Sequence, residues 1–176
     1  MGELAASATP EEELVSIGLG SCVGVALVDA AGGVAGLAHV MLPEANAAYS
    51  APAKFADRAV PTLLASVERL GAHRTRLGAV LVGGAQMFGG SERTDRLDLG
   101  MRNEAAVRAA LERERIPVRA TATGGNRGRT IRVLPGHPAV MVKEAGGTEV
   151  ELWGTAAAAT PNDVPQALGW VRERAI

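Results

Sequence analysis

The chain has 176 residues, 47% of them apolar and only 3% aromatic, enough for one domain with a sizeable aliphatic core and too few for two ordinary ones. Lys and Arg number 18 against 19 Asp and Glu, a formal net charge of −1 that argues against a nucleic-acid or anionic-membrane partner. One cysteine excludes an internal disulfide, and three histidines scattered at 39, 73 and 137 give no metal-site spacing, so neither metal nor cofactor is expected. No charged-then-apolar leader opens the chain and no apolar run approaches ~20 residues, so the expectation is a cytoplasmic protein with no membrane insertion.

Residues 1–13 are polar and Ala-rich, ending in three glutamates, and read as a flexible or edge-packed leader; the ordered part begins at Leu14. Cys22 to Val28 and Val34 to Leu42 are short apolar runs of strand length, and Asp29-Ala30-Ala31-Gly32-Gly33 between them has turn chemistry. They predict an antiparallel hairpin. Pro43 to Pro52 follows as a loop of lid length, and Lys54 to Leu70 carries a helical pattern that Pro61 interrupts and Gly71 stops.

Leu77 to Val82 predicts a strand that runs into Gly83-Gly84. A helix is expected from Asn103, as its N-cap, to Ile116, with its outer face rich in Arg and Glu. Val118 to Thr123 and Thr130 to Leu134 read as strands bracketing the turn Gly124 to Arg129, and Glu149 to Trp153 as one more. No internal repeat is present. The balance favours a mixed α+β domain over 14–154, with a tail over 155–176.

Candidate chemistry centres on Cys22, in the stretch Gly18-Leu19-Gly20-Ser21-Cys22-Val23-Gly24-Val25, and on His39. A thiol attacks as thiolate, and a neighbouring imidazole is a common way to make one. A hairpin tip centred on Ala30-Ala31 places Cys22 directly across from His39, with Cα atoms ~4.5–5.5 Å apart. Gly24 and Ala26 on the same face would then leave room for a substrate. A tip centred on Gly32-Gly33, or a bulge, would separate the pair. Brought together, the two residues make a cysteine hydrolase or transferase; kept apart, Cys22 is a small buried hydrophobe.

Ser16, six residues before Cys22, is a candidate to orient the imidazole from a neighbouring strand, with a solvent-exposed serine as the alternative. The amides of Gly83 and Gly84 are candidate donors to an anion or oxyanion, with a tight turn as the alternative. The loop lacks the Lys-Ser/Thr of a P-loop and the spacing of a dinucleotide fingerprint, which excludes nucleotide binding. Arg127 and Arg129 are candidates for a carboxylate or are solvated.

Six motifs in order resemble the chemoreceptor glutamine deamidase family, CheD: Gly-Leu-Gly-Ser-Cys at 18–22, Ala-His-Val-Met-Leu-Pro at 38–43, Phe-Ala-Asp at 55–57, Gly-Gly-Ala-Gln-Met at 83–87, Leu-Gly-Met-Arg-Asn at 99–103 and Gly-Gly-Asn-Arg-Gly-Arg at 124–129. The resemblance implies packed mixed or antiparallel sheets flanked by helices, as in cytotoxic-necrotizing-factor-type deamidases. It implies Cys22 as nucleophile, His39 as its base, and Ser16 where the family usually has threonine. Backbone N–H groups near Cys22, at Gly20-Ser21, would hold the oxyanion, with Ser21, Gly83 and Gly84 as candidate oxyanion or substrate contacts.

The implied activity is hydrolysis of protein glutamine side chains on the cytoplasmic helical region of a chemoreceptor, by a monomer with no cofactor. A CheC-type phosphatase is implied as a second partner. A non-catalytic module docking on receptor or phosphatase, and a receptor methylesterase using the same thiol, are the alternatives. The lysine usual before Gly-Gly-Ala is absent here, and Thr123 stands where an aspartate is common.

Overall fold

The computed structural model describes residues 2–45, 51–86, 99–154 and 172–175. Its centre is the hairpin of β3 (Val23–Asp29) and β4 (Val34–Val40), in which every residue is buried. Two-sided burial suits these runs, since both lack the polar alternation of a half-exposed strand. Around them, β1 (Leu4–Ser7), β5 (Gly78–Gly83) and β6 (Val118–Thr123) complete a sheet of order β1-β4-β3-β5-β6, antiparallel except for the β5–β6 pair.

A second sheet contains β2 (Glu12–Leu19), β7 (Arg129–Leu134), β8 (Ala139–Glu144), β9 (Glu149–Gly154) and β10 (Arg172–Ala175), in the order β10-β2-β7-β8-β9. Two helices, α1 (Ala56–Arg69) and α2 (Leu99–Arg113), cover the outer face of the first sheet.

Side-chain alternation along the hairpin separates two cores. Val23, Val25, Leu27, Val34, Ala38 and Val40 face the helices and meet Val60, Leu63, Val67, Val107 and Leu111. Ala26, Val28, Ala35 and Leu37 face the second sheet and meet Leu14, Leu19, Ile131 and Val133. The layers are therefore helices, sheet, sheet, an α+β architecture as expected from the sequence.

Several expectations change in the folded chain. The hairpin turn centres between Ala31 and Gly32, midway between the two alternatives, so Gly24 pairs with His39 and Asp29 with Val34. Residues 4–7 pair with β4, so this part of the leader is an edge strand and not flexible chain. Residues 172–175 of the tail pair in parallel with β2. Residues 46–50 of the proline-bounded loop and 155–171 of the tail lie outside the described residues.

Pro61 lies inside α1, which continues past it and ends where Gly71 (φ 97°) lets the Ala72 N–H reach the Val67 carbonyl at 3.1 Å. The strands on either side of Gly124–Gly128 are not partners. One lies in each sheet, and the glycine turn carries the chain between them.

At the far end of the hairpin, Asp29 is fully buried. Its carboxylate accepts from the Arg76 guanidinium (Nη2 2.7 Å, Nε 2.9 Å), the His73 N–H (2.8 Å) and the Gly32 N–H (3.0 Å), tying the turn to the segment before β5. Led by the Arg76 hydrogen bonds, these donors hold its pKa at about 2, below the ordinary 3.8.

A carboxyl with a depressed folded pKa adds stability that is complete above its unfolded value, here about pH 4, and lost as pH falls through about 2. Asp29→Asn is expected to lower stability at pH 7 by about 2–4 kcal/mol, because it leaves a buried donor facing donors. Urea midpoints between pH 4 and 2 should also fall less steeply in the variant. This pH-dependent part is on the order of 1–2 kcal/mol once the exposure of Arg76 is allowed for.

Candidate active site

The site lies at the open end of the hairpin, where the two sheets and the start of α2 meet. Ser16 is placed by β2 in the second sheet and His39 by β4 in the first. Both are buried, and the Ser16 hydroxyl lies 3.0 Å from His39 Nδ1, a hydrogen bond that crosses from sheet to sheet. The His39 N–H donates to the Glu3 carbonyl at 2.9 Å, so the chain leading into β1 helps hold the strand that carries the imidazole.

A register shift in β2 shapes the approach to the thiol. Ser16 pairs with Ile131 and Leu19 with Arg129, which leaves an extra residue on β2 at Ile17-Gly18. Both flanking residues, Ser16 and Leu19, are consequently buried while Ile17 is 65% exposed. Gly18 has φ 74°, the left-handed conformation that such a bulge favours.

Past the bulge, Gly20-Ser21-Cys22 is irregular chain whose three carbonyls are all held. Ala85 N–H donates to Gly20 O (2.7 Å), Asn103 Nδ2 to Ser21 O (2.9 Å) and Gly84 N–H to Cys22 O (2.8 Å). Cys22 is half-buried. Burial pushes its thiol above the usual range, and its own backbone N–H acts in the opposite direction.

The register corrects the expected pairing of Cys22 with His39. Gly24 faces His39, and Cys22 immediately precedes β3. Sequence alternation still puts Cys22 on the inter-sheet side with Gly24 and Ala26, and it packs against that core. The approach of thiol and imidazole is therefore diagonal. The space expected over Gly24 is filled: a Cβ there would lie 2.8 Å from Leu19 Cδ1 and 3.1 Å from Ile131 Cγ2.

Gly83-Gly84 forms the wall behind the nucleophile. The Gly84 amide is engaged by the Cys22 carbonyl, which accounts for its N–H without an anion. Ser21 is partly buried, and its carbonyl is the one held by Asn103. Arg129 donates to the Gly124 carbonyl (2.6 Å) and pairs with Glu144 (3.0 Å), so its guanidinium is engaged within the chain.

Asn103 was missed by reading it as a helix cap. The helix begins earlier, at Leu99, because Gly100 lets its first turn lie against Gly84; a Cβ at Gly100 would be 2.5 Å from Gly84 O. Asn103 is thus inside α2, fully buried, donating also to Met41 O at 2.9 Å. The sequence signal was an amide in the first turns of a helix on its buried face. Among the described residues, no His, Cys, Asp and Glu side chains gather as a metal would require, and no helix is long and apolar enough to cross a membrane.

Gly83 tests how tightly this wall is built. A Cβ there would sit 2.3 Å from Cys22 O, at φ 111°. Gly83→Ala should cost about 2–4 kcal/mol in thermal or urea unfolding. Gly128→Ala, at a glycine with open space around it, should stay within about 0.5 kcal/mol of the parent.

The family model for CheD, described as chemotactic sensory transduction, matches residues 41–144. That stretch includes Gly83, Gly84 and Asn103, and begins just after His39. A protein named "Probable chemoreceptor glutamine deamidase CheD" from Clostridium kluyveri is 43% identical over 135 residues, 76% of this chain and 83% of the relative. Proteins of the same name from Clostridium novyi (44% over 126 residues, 70% and 78%) and Clostridium botulinum (39% over 137 residues, 77% and 85%) are similar to it as well.

Proposed function

The chain belongs to the CheD family, and from that premise we propose that it is a hydrolase converting glutamine side chains of chemoreceptors to glutamate through Cys22, His39 and Ser16. The observation that carries the residue assignment is the Ser16–His39 hydrogen bond, buried between the sheets on the side where the half-buried Cys22 also lies. We place the substrate glutamine on the helical cytoplasmic region of a receptor, with a CheC-type phosphatase as a second partner and the enzyme a cytoplasmic monomer.

The proposed chemistry starts from the environment of the thiol. A thiol whose pKa is raised by burial rests protonated at neutral pH, so His39 must act as base during attack. In the tautomer whose Nδ1–H donates to Ser16 Oγ, Nε2 carries the lone pair that would accept the Cys22 proton. The sulfur forms a bond to the carboxamide carbon, and its proton passes to Nε2. The C–N bond then breaks, ammonia leaves with that proton, and a thioester remains. Water, deprotonated by His39, attacks the thioester; the C–S bond breaks and the proton returns to sulfur, leaving glutamate.

The test is mass spectrometry of a receptor cytoplasmic fragment incubated with the protein. Wild type should add about one mass unit at particular glutamines with release of ammonia, while Cys22→Ala adds none and His39→Ala slows the conversion by roughly 10²–10⁴-fold. Ser16→Ala should slow it by roughly 10- to 100-fold, the loss expected for an uncharged orienting hydrogen bond. Methanol release without ammonia would make the protein an esterase, and binding without any mass change an adaptor. Independently, alkylation of Cys22 by iodoacetamide should titrate above the ordinary thiol value of about 8.5; a midpoint below it would mean a pre-formed thiolate.

A further inference from the structure

Three successive carbonyls, Gly20 O, Ser21 O and Cys22 O, accept hydrogen bonds, and two of their donors are backbone amides that no side-chain substitution removes. The middle donor is a side chain, Asn103 Nδ2. In a trans peptide the C=O and the following N–H point in opposite directions, and no described peptide bond is cis. Holding Ser21 O toward α2 therefore turns the Cys22 N–H away from α2.

The same side-chain amide holds Met41 O, two residues beyond His39. Pairing of β3 with β4 ends at Val23 and Val40, and the Met41 N–H turns instead to Lys54 O at 2.9 Å. The next rung of the ladder would join Cys22 and Met41. Asn103 occupies that fork with its two donors. Its orientation is dictated by chemistry, because only the NH2 end can meet two carbonyls. Among the described residues, Asn103 Oδ1 has no hydrogen-bond partner although buried, so satisfying the fork takes precedence over satisfying the side chain.

We infer that Asn103 is a positioning residue for the reaction: it sets the Ser21–Cys22 peptide plane so that the Cys22 N–H faces the oxyanion formed on thiolate attack, and it fixes the nucleophile segment relative to the His39 strand. This rests on the deamidase reading above. Alkylation of the thiol by iodoacetamide forms no oxyanion, whereas attack on a carboxamide does. A residue that orients an oxyanion donor therefore affects the second reaction far more than the first.

The experiment compares wild type, Cys22→Ala, Asn103→Ala and Asn103→Ser on a receptor cytoplasmic fragment, with circular dichroism melts of each. In Asn103→Ala, kcat for deamidation should fall roughly 30- to 300-fold with KM within about threefold, while Cys22 alkylation stays within about threefold of wild type across its pH profile. Asn103→Ser, which keeps one short donor, should recover part of kcat, and it carries the comparison alone if the alanine variant does not fold. A folded variant with wild-type kcat, or kcat and alkylation falling in parallel, overturns the inference. A wild type that converts no glutamine refutes the deamidase reading itself, and the inference with it.

Discussion

Burial of the central hairpin on both faces is the constraint from which the rest follows. Every residue of β3 and β4 is inside, one set of side chains against helices and the other against a second sheet. A slip of one residue would exchange the two sets and drive Leu27 and Val25 into space shaped for Ala26 and Gly24. The register is therefore strongly held, and with it the facing of His39 between the sheets. Small residues are part of this arrangement: at Gly36 a Cβ would lie 2.8 Å from both Leu63 and Val67, so the helix α1 comes down directly onto the strand.

Against this aliphatic background the candidate site is a polar seam at one end of the sandwich. Ser16, His39 and Asn103 are all buried, and groups of this kind destabilise a core unless they find partners. Ser16 and His39 partner each other across the sheets, and Asn103 partners two backbone carbonyls that the splaying strands release. The opposite end of the hairpin carries a buried carboxylate, Asp29, satisfied by three backbone and side-chain donor groups. Splaying at one end and tight closure at the other give the hairpin a rigid base and an accessible mouth, where Cys22 is half-exposed.

Much of this was legible before folding was considered. The paired apolar runs, the glycine that ends α1 and the strand leading into Gly83-Gly84 are local signals, and the structure contains each of them. What failed to show was non-local. Ala139–Glu144 is a strand by virtue of its pairing with β7 and β9, which its own short pattern does not announce. Val118–Thr123 and Thr130–Leu134 read as strands bracketing a glycine turn, and only the folded chain puts each of them in a different sheet.

The sequence by itself determined the residue types of the site, the family to which they belong and the α+β class, because motifs, turns and apolar periodicity are written in neighbouring residues. Only the tertiary structure decided how those residues meet. The turn centre, and so the diagonal relation of Cys22 to His39, depends on which register buries both faces of the hairpin best. Asn103 gained its place because the packing of Gly100 on Gly84 starts the helix four residues before it, turning an expected cap into a buried double donor. Both outcomes depend on long-range contacts between surfaces, which no local window of sequence encodes.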